Sequence, residues 1–432
     1  MRPLRNYLFI TFDGGGNVPP VLGLARRLAD RGHGVRVLTE PCLRGPVEAA
    51  GAEFIAFTRH FTREDGTEDL IGDSEARTPI GALKRSFDRV VFGPAAIVAE
   101  ETQRAIQTLR PDVVVVDIMM PGALAAAEAA GIPRVVLFHM PEYLPGPGRP
   151  AAGPGFLPRS DLLGLLRDGL VARVFDRLLR GYVDPFNEAR KAVGLAPISS
   201  TRELLDEIHR ANLRLIQTCE AFDFPITPAP RNVRYVGPVL DDPGWAEAWR
   251  NPWTLDDARP LIVASLSSTF QDQYQVLRRI ISALGRLPVR GLVTLGPSMA
   301  GRSFDLPPNV VAAASVAHGQ VFPQAAAVIT HAGHGTVMRS LAEGLPLLCL
   351  PMGRDQDDNA ARVMASGVGL RLRPSASPAR ISKSLQRLLG TPSYRANAER
   401  LGQIIRADVA DNRAVRELEA VGLAMAEQPD PG

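Results

Sequence analysis

The sequence predicts two doubly wound α/β domains, each a parallel sheet with helices on both faces. Three features point there. The chain has 432 residues, 45% of them hydrophobic, which is enough for two or three domains with cores of their own. Strand-length apolar runs alternate with helical segments in two separate series, the pattern of βαβ units. Between the series lies a stretch, 225–253, with six prolines and few periodic positions, which reads as a linker.

The first series opens at residues 8–12, an apolar strand that runs into Gly14, Gly15 and Gly16. A helix over 20–31 follows, with Val21, Leu24, Ala25 and Leu28 at helical spacing and Gly32 at its end. Residues 35–38 are the next strand. The β-branched run 113–116 fits a strand buried on both faces, closed by Asp117. A helix over 123–130 stops at Gly131 and Pro133, and 134–138 is another strand. The Pro/Gly-rich stretch 145–158 cannot be regular and is expected as a long loop. Residues 160–192 read as mostly helical. The second series starts near 240, with strands expected at 261–266, 289–295, 310–314, 327–330, 347–350 and 369–372.

Composition narrows the function classes. A net charge of +3 argues against a general nucleic-acid binder. No apolar run approaches the ~18 residues of a membrane span, and the N-terminal apolar stretch lacks a signal-peptide core and cleavage site. A soluble, cytoplasmic chain is expected. Cys42, Cys219 and Cys349 are odd in number and far apart, so neither a disulfide framework nor a zinc site is expected.

The most informative stretch is 331–361, HAGHGTVMRSLAEGLPLLCLPMGRDQDDNAA. A strand runs into His331, Gly333, Gly335 and Thr336, and a helix follows. Small residues at a helix start let backbone N–H groups approach an anion, which the helix dipole also favours. An imidazole and a hydroxyl add donors for phosphate oxygens. Beyond the next strand, Asp355 and Gln356 offer an acceptor and an amide suited to sugar hydroxyls. Asp357 and Asp358 sit at a helix start, where carboxylates suit the dipole, and no metal site is expected.

With these residues in place, the sequence resembles the family 1 nucleotide-sugar glycosyltransferases of GT-B fold, especially their bacterial natural-product branch. The shared elements are His331-x-Gly333-x-Gly335-Thr336, the Asp355-Gln356 pair about twenty residues on, and Asn359-Ala360. Also shared are the glycine turn with the segment Leu22 to His33, the run 235–238, and Ser265 to Ser268. The resemblance covers nearly the whole chain. It implies an acceptor-binding domain over 1–235, a linker over 236–253 and a nucleotide-sugar domain over 254–432, whose last helix can pack back on the first domain. It implies an inverting, metal-independent sugar transfer from a UDP- or TDP-sugar to a small hydrophobic acceptor. The nucleotide sugar is a co-substrate and no cofactor is implied; the protein would be a monomer or homodimer.

On this resemblance His331 contacts a phosphate, while Gly333, Gly335 and Thr336 form the diphosphate turn. Ser268 lies near the diphosphate from the opposite loop. Asp355 and Gln356 hold sugar hydroxyls. Ser315 and Val316 fall where relatives often carry a Trp for the base, so ring stacking is lost there. His334 is expected behind the ligand or at the surface.

The catalytic positions depart from the family. Its general base is a His in a turn after the first strand, and matching Gly16 to Pro20 puts Asn17 there. A neutral amide cannot be a general base. The family's partner carboxylate matches Asp117. The base is then Asp117, Asp13, His139, or no residue at all when the acceptor ionises readily. Phe57, Phe87, Met119, Met140 and Tyr143 are expected to line the acceptor pocket, with the 145–158 loop as a wall. Two other readings stay open: a binding-only homologue, which Asn17 keeps alive, and a sugar-nucleotide epimerase.

Overall fold

The computed structural model describes residues 4–426 apart from 67, 73–74, 77, 147, 243–246, 255, 268–272, 297–298 and 300. It contains two parallel sheets. The first has strands β1 (Asn6–Ile10), β2 (Gly34–Thr39), β3 (Glu53–Ala56), β4 (Val113–Asp117), β5 (Arg134–Phe138), β6 (Leu213–Ile216) and β7 (Val233–Tyr235). Their spatial order is β3-β2-β1-β4-β5-β6-β7. The second has β8 (Leu261–Ser265), β9 (Arg290–Thr294), β10 (Val310–Ala313), β11 (Ala325–Thr330), β12 (Leu347–Cys349) and β13 (Gly369–Arg371), in the order β10-β9-β8-β11-β12-β13. Both are doubly wound: each order reverses between its first strand and a neighbour, β1/β4 and β8/β11.

Helices cover both faces of each sheet, and the central strands are buried throughout, as continuous apolar runs require. Two helices begin earlier than the apolar pattern suggests. The first spans Val18–Ala29 and another Pro121–Ala129, because their prolines sit in the first turn, where the missing N–H has no partner to lose. Residues 160–192 split into Leu162–Arg180 and Val183–Ala192.

The stretch 225–253 is not all linker. Residues 233–235 form β7, which pairs with β6 and closes one edge of the first sheet. β3 and β6 also escaped the apolar pattern. β6 carries Arg214 inside a four-residue strand, and the charge breaks the run. The buried guanidinium donates to Glu142 Oε1 at 2.6 Å.

Several contacts join the halves. The last helix, Arg413–Ala426, packs on Val18–Ala29 through Val415 and Leu418, and Arg31 Nε donates to Glu419 at 2.7 Å. A buried charge network spans the seam: Arg362 donates to Asp223 at 2.8 Å, Tyr235 to Asp223 at 2.7 Å and Arg149 to Glu142 at 3.0 Å. Finally, the irregular loop 145–158 docks across the seam. The N–H groups of Gly153 and Gly155 donate to Asp358 at 2.6 and 2.8 Å. Gly155 has φ +66°, and a Cβ there would meet the Asp357 carbonyl at 2.4 Å, so only glycine fits.

Candidate active site

A single cleft of about 2870 Å³ runs between the domains, at the carboxyl ends of both sheets. That is several times the ~300–1,000 Å³ of a pocket for one small ligand, so two ligands can meet in it. Open α/β sheets bind ligands where the strand order reverses, because the loops there diverge and leave a crevice. Both reversal points face this cleft. The turn 12–17 follows β1, Asp117 ends β4, Ser265 ends β8 and His331 follows β11.

The C-terminal half is built for an anion. Helix His334–Ala342 starts at Gly333 with no side-chain cap. Its first intrahelical bond is Val337 N–H to the Gly333 carbonyl, at 3.0 Å. The N–H groups of His334, Gly335 and Thr336 therefore have no acceptor within the helix, and these residues line the cleft. Ala332 is held at φ +71°, a costly conformation for alanine, by two bonds. Its N–H donates to Thr330 Oγ1 at 3.2 Å, and its carbonyl accepts from Asn359 Nδ2 at 2.9 Å.

His331 is 8% exposed, and its ring hydrogen-bonds the Ser265 carbonyl at the end of the neighbouring strand. Burial, with the charge of Arg354, pushes its pKa down to about 4. The imidazole is neutral at physiological pH. Its Nε2 lies over Gly333, where a Cβ would come within 2.4 Å.

Asn359 also donates to Asp355 Oδ2 at 2.7 Å, so one amide links the loops after β11 and β12. Gln356 Oε1 accepts the Met352 N–H at 2.7 Å, and both Asp355 and Gln356 line the cleft. Asp357 pairs with Arg371, and Asp358 serves the 145–158 loop. Ser315 and Val316 line the opposite wall. Ser268 lies outside the described residues. His334 is buried, not at the surface, and it bridges the domains. Its Nε2 lies 3.0 Å from Thr218 Oγ1 and its ring bonds the His139 carbonyl.

Two lining residues escaped sequence reading. His318 stacks on Phe322 at 4.3 Å, with Nε2 3.1 Å from Ser265 Oγ. Burial, then the Arg339 charge, pushes its pKa to about 3. Arg339, one turn beyond Gly335, pairs with the Asp241 carbonyl, and its buried Nε has no hydrogen-bond partner among the described residues. The only signal was an Arg on the helix that the glycine motif starts, and an aromatic ring near the vacant Trp position.

The N-terminal half gathers the catalytic candidates. Asp117 is 1% exposed and does not line the cleft. Its Oδ2 accepts from Thr11 Oγ1 at 3.0 Å and from Asn17 Nδ2 at 2.8 Å, and its Oδ1 accepts the Met119 N–H at 3.0 Å. Asn17 also donates to the Phe12 carbonyl at 2.8 Å and accepts the Gly14 N–H at 3.0 Å. Asp13 and His139 line the cleft, with Asp13 Oδ1 accepting the Gly15 N–H at 2.9 Å. Phe87, Met119, Met140 and Tyr143 line it as well. Phe57 does not. It is buried against Phe61, because it follows β3 and turns into the core between that edge strand and the helical layer.

Known proteins resemble this chain in sequence and fold. Residues 278–421 match the family described as erythromycin biosynthesis protein CIII-like, C-terminal domain. The 4'-demethylrebeccamycin synthase of Lentzea aerocolonigenes is 28% identical over 420 residues, covering 91% of this chain and 94% of that protein. Among solved structures, the kitacinnamycin glycosyltransferase superposes with a TM-score of 0.74 at 21% identity, covering 98% of this chain and 100% of that one. The calicheamicin glycosyltransferase CalG4 gives 0.69 at 25% identity, covering 98% of each chain.

Proposed function

From its membership of the GT-B glycosyltransferases of the bacterial natural-product branch, we propose that this chain moves a sugar from a UDP- or TDP-sugar to a small hydrophobic natural-product acceptor, with inversion and without a metal. One observation carries the reading. An uncapped helix start, with three N–H groups that have no acceptor among the described residues, shares one cleft with an apolar, aromatic half-site.

The proposed residue roles use that arrangement. The N–H groups of Gly335 and Thr336 hold the diphosphate at the positive end of the helix, and His331 gives it a further contact. Gly333 makes room for the imidazole. Asp355 and Gln356 hold sugar hydroxyls, with Asn359 fixing the loop beneath them. Ser315 and Val316 meet the base through backbone groups, and the family resemblance adds Ser268 as a further contact to the diphosphate. Phe87, Met119, Met140 and Tyr143 receive the acceptor. With the diphosphate on one side of the anomeric carbon and the acceptor on the other, a single in-line displacement inverts the centre. The positive end of the helix offsets the leaving charge, in place of a metal.

The test is incubation with UDP- and TDP-sugars and a panel of phenolic and polyketide acceptors. Nucleotide diphosphate release and product mass are the readouts. Release only when acceptor is present is the expected result. Nucleotide binding without transfer to any acceptor would refute the reading in favour of a binding-only homologue, which Asn17 makes a specific rival. Conversion of the donor without acceptor would indicate an epimerase.

A further inference from the structure

Resting on the transfer just proposed, we propose that His139 is the general base, with Asp117 as the residue that positions it. Where the resembled family pairs a turn His with this carboxylate, here a His stands at the adjacent strand end.

His139 directly follows β5, which pairs with β4 so that Leu137 lies beside Asp117. The two side chains leave neighbouring strand ends on the cleft side. The His139 side chain is 14% exposed and lines the cleft. Its Nδ1 is buried with no hydrogen-bond partner and lies 3.7 Å from Asp117 Oδ1. A buried polar atom left unpaired requires a reason. A neutral imidazole carries its proton on one nitrogen and a lone pair on the other. With the proton on Nδ1, facing the carboxylate, the lone pair sits on Nε2, for which no hydrogen bond exists among the described residues. A small ring rotation brings Nδ1 into hydrogen-bond range, and catalytic contacts commonly tighten once substrates are bound.

The surroundings commit the other candidates to structural bonds. Asp117 lies beneath Asn17, and both of its oxygens already accept N–H or O–H groups. It cannot reach an acceptor, but Oδ1 keeps a lone pair toward His139. Asn17 is spent on holding that carboxylate and the Phe12 carbonyl. The Asp13 carboxylate closes the glycine turn. The groups set against His139 are Asp117 and His334, which holds the His139 carbonyl. That last bond ties the base to the first residue of the diphosphate helix, so acceptor activation and leaving-group binding share one rigid seam.

In the step itself, a lone pair on the acceptor oxygen forms the new bond to the anomeric carbon. The bond from that carbon to the diphosphate oxygen breaks, and its electron pair leaves with the nucleotide diphosphate. The acceptor proton passes to His139 Nε2. Asp117 stabilises the resulting imidazolium, which later loses the proton to solvent.

The experiment uses the full chain with a donor and acceptor pair that the wild type turns over. Rates across pH, nucleotide diphosphate affinity and thermal stability are compared for His139→Gln, His139→Ala, Asp117→Asn and Asp13→Asn. Both His139 variants should lose about 10²–10⁴-fold in kcat with nucleotide affinity unchanged. The acidic limb of the wild-type rate profile should vanish, and added imidazole should restore part of the His139→Ala rate. Asp117→Asn should slow kcat and shift that limb. Full rate in a folded His139→Gln protein overturns the base assignment alone, as does a comparable loss confined to Asp13→Asn. Absence of transfer by the wild type overturns the function itself, and the assignment falls with it.

Discussion

A single methyl group at Gly333 tests the anion site. The Gly333 backbone has φ −61° and ψ 135°, which alanine adopts without strain. The methyl would lie 2.4 Å from His331 Nε2 and 2.7 Å from Cε1. Non-bonded heavy atoms prefer roughly 3.5 Å or more, so the ring must retreat by about 1 Å. It can do so, because the imidazole is the end of a side chain and the cleft is open beside it. The retreat takes its nitrogen away from the helix start. Misplacement by ~1 Å is enough to cost on the order of 10²-fold, and one bond to a charged group is worth ~1.5–3 kcal/mol. Gly333→Ala should therefore weaken nucleotide diphosphate binding by about 10–100-fold in titration calorimetry, at ~1.4–2.7 kcal/mol. The clash itself should destabilise the fold by no more than ~1–3 kcal/mol, read by denaturant titration. A double-mutant cycle isolates the cause. In a His331→Ala background the methyl has no ring to strike, so it should add less than ~0.5 kcal/mol. Wild-type binding by Gly333→Ala, or full additivity with His331→Ala, would refute the placement of His331 against the donor.

Other expectations follow from the same structure. His318, His331 and His334 have pKa values pushed down to about 3, 4 and 3, chiefly by burial. Their stabilisation is complete above the unfolded imidazole pKa of ~6.5 and is lost as pH falls. Once all three bind protons only in the unfolded chain, unfolding free energy from urea titrations should drop by about 4 kcal/mol per pH unit. A flat stability profile from pH ~6 to ~5 would refute this. Burial raises the Asp223 pKa, but Arg362 and Arg149 more than offset that and hold it below the usual carboxylate range. Asp223 therefore adds stability above pH ~4 that is lost in stronger acid, and Asp223→Ala should cost ~3–5 kcal/mol at neutral pH by uncovering buried cations. Asn359→Ala should cost ~1–3 kcal/mol and raise the donor KM, since Ala332 and Asp355 lose their shared tie. Asp358→Ala should speed proteolysis within 148–158 and raise the acceptor KM, because Gly153 and Gly155 lose their anchor.

Much of the fold was legible because periodicity is a local signal. The six strands of the second sheet and the central strands of the first announced themselves as apolar runs bounded by glycine, proline or aspartate. β3, β6 and β7 did not. β3 and β7 are the edge strands of their sheet, and β6 hides a buried arginine whose acceptor, Glu142, is 72 residues away. The glycine motif at 331–336 was visible because its chemistry is contiguous. Arg339 and His318 were not, since an arginine one turn into a helix and a ring beside a loop are common features that single out no site. Phe57 was assigned to the acceptor pocket on residue type alone, and its position at the end of an edge strand turned it inward instead.

The sequence by itself determined the two-sheet α/β architecture and the glycine-rich helix start. Each follows from residues adjacent along the chain: alternation of apolar runs, small residues after a strand. It also determined that no histidine stands in the turn after the first strand. What it left open was which group could do that work instead, among Asp117, Asp13 and His139. Only the tertiary structure decided their surroundings. Parallel strand order brings the ends of β1, β4 and β5 together, buries Asp117 under Asn17, and leaves His139 on the cleft wall with one nitrogen toward a carboxylate. Those neighbours are about 20 to 120 residues apart in the chain, so only folding makes them one site.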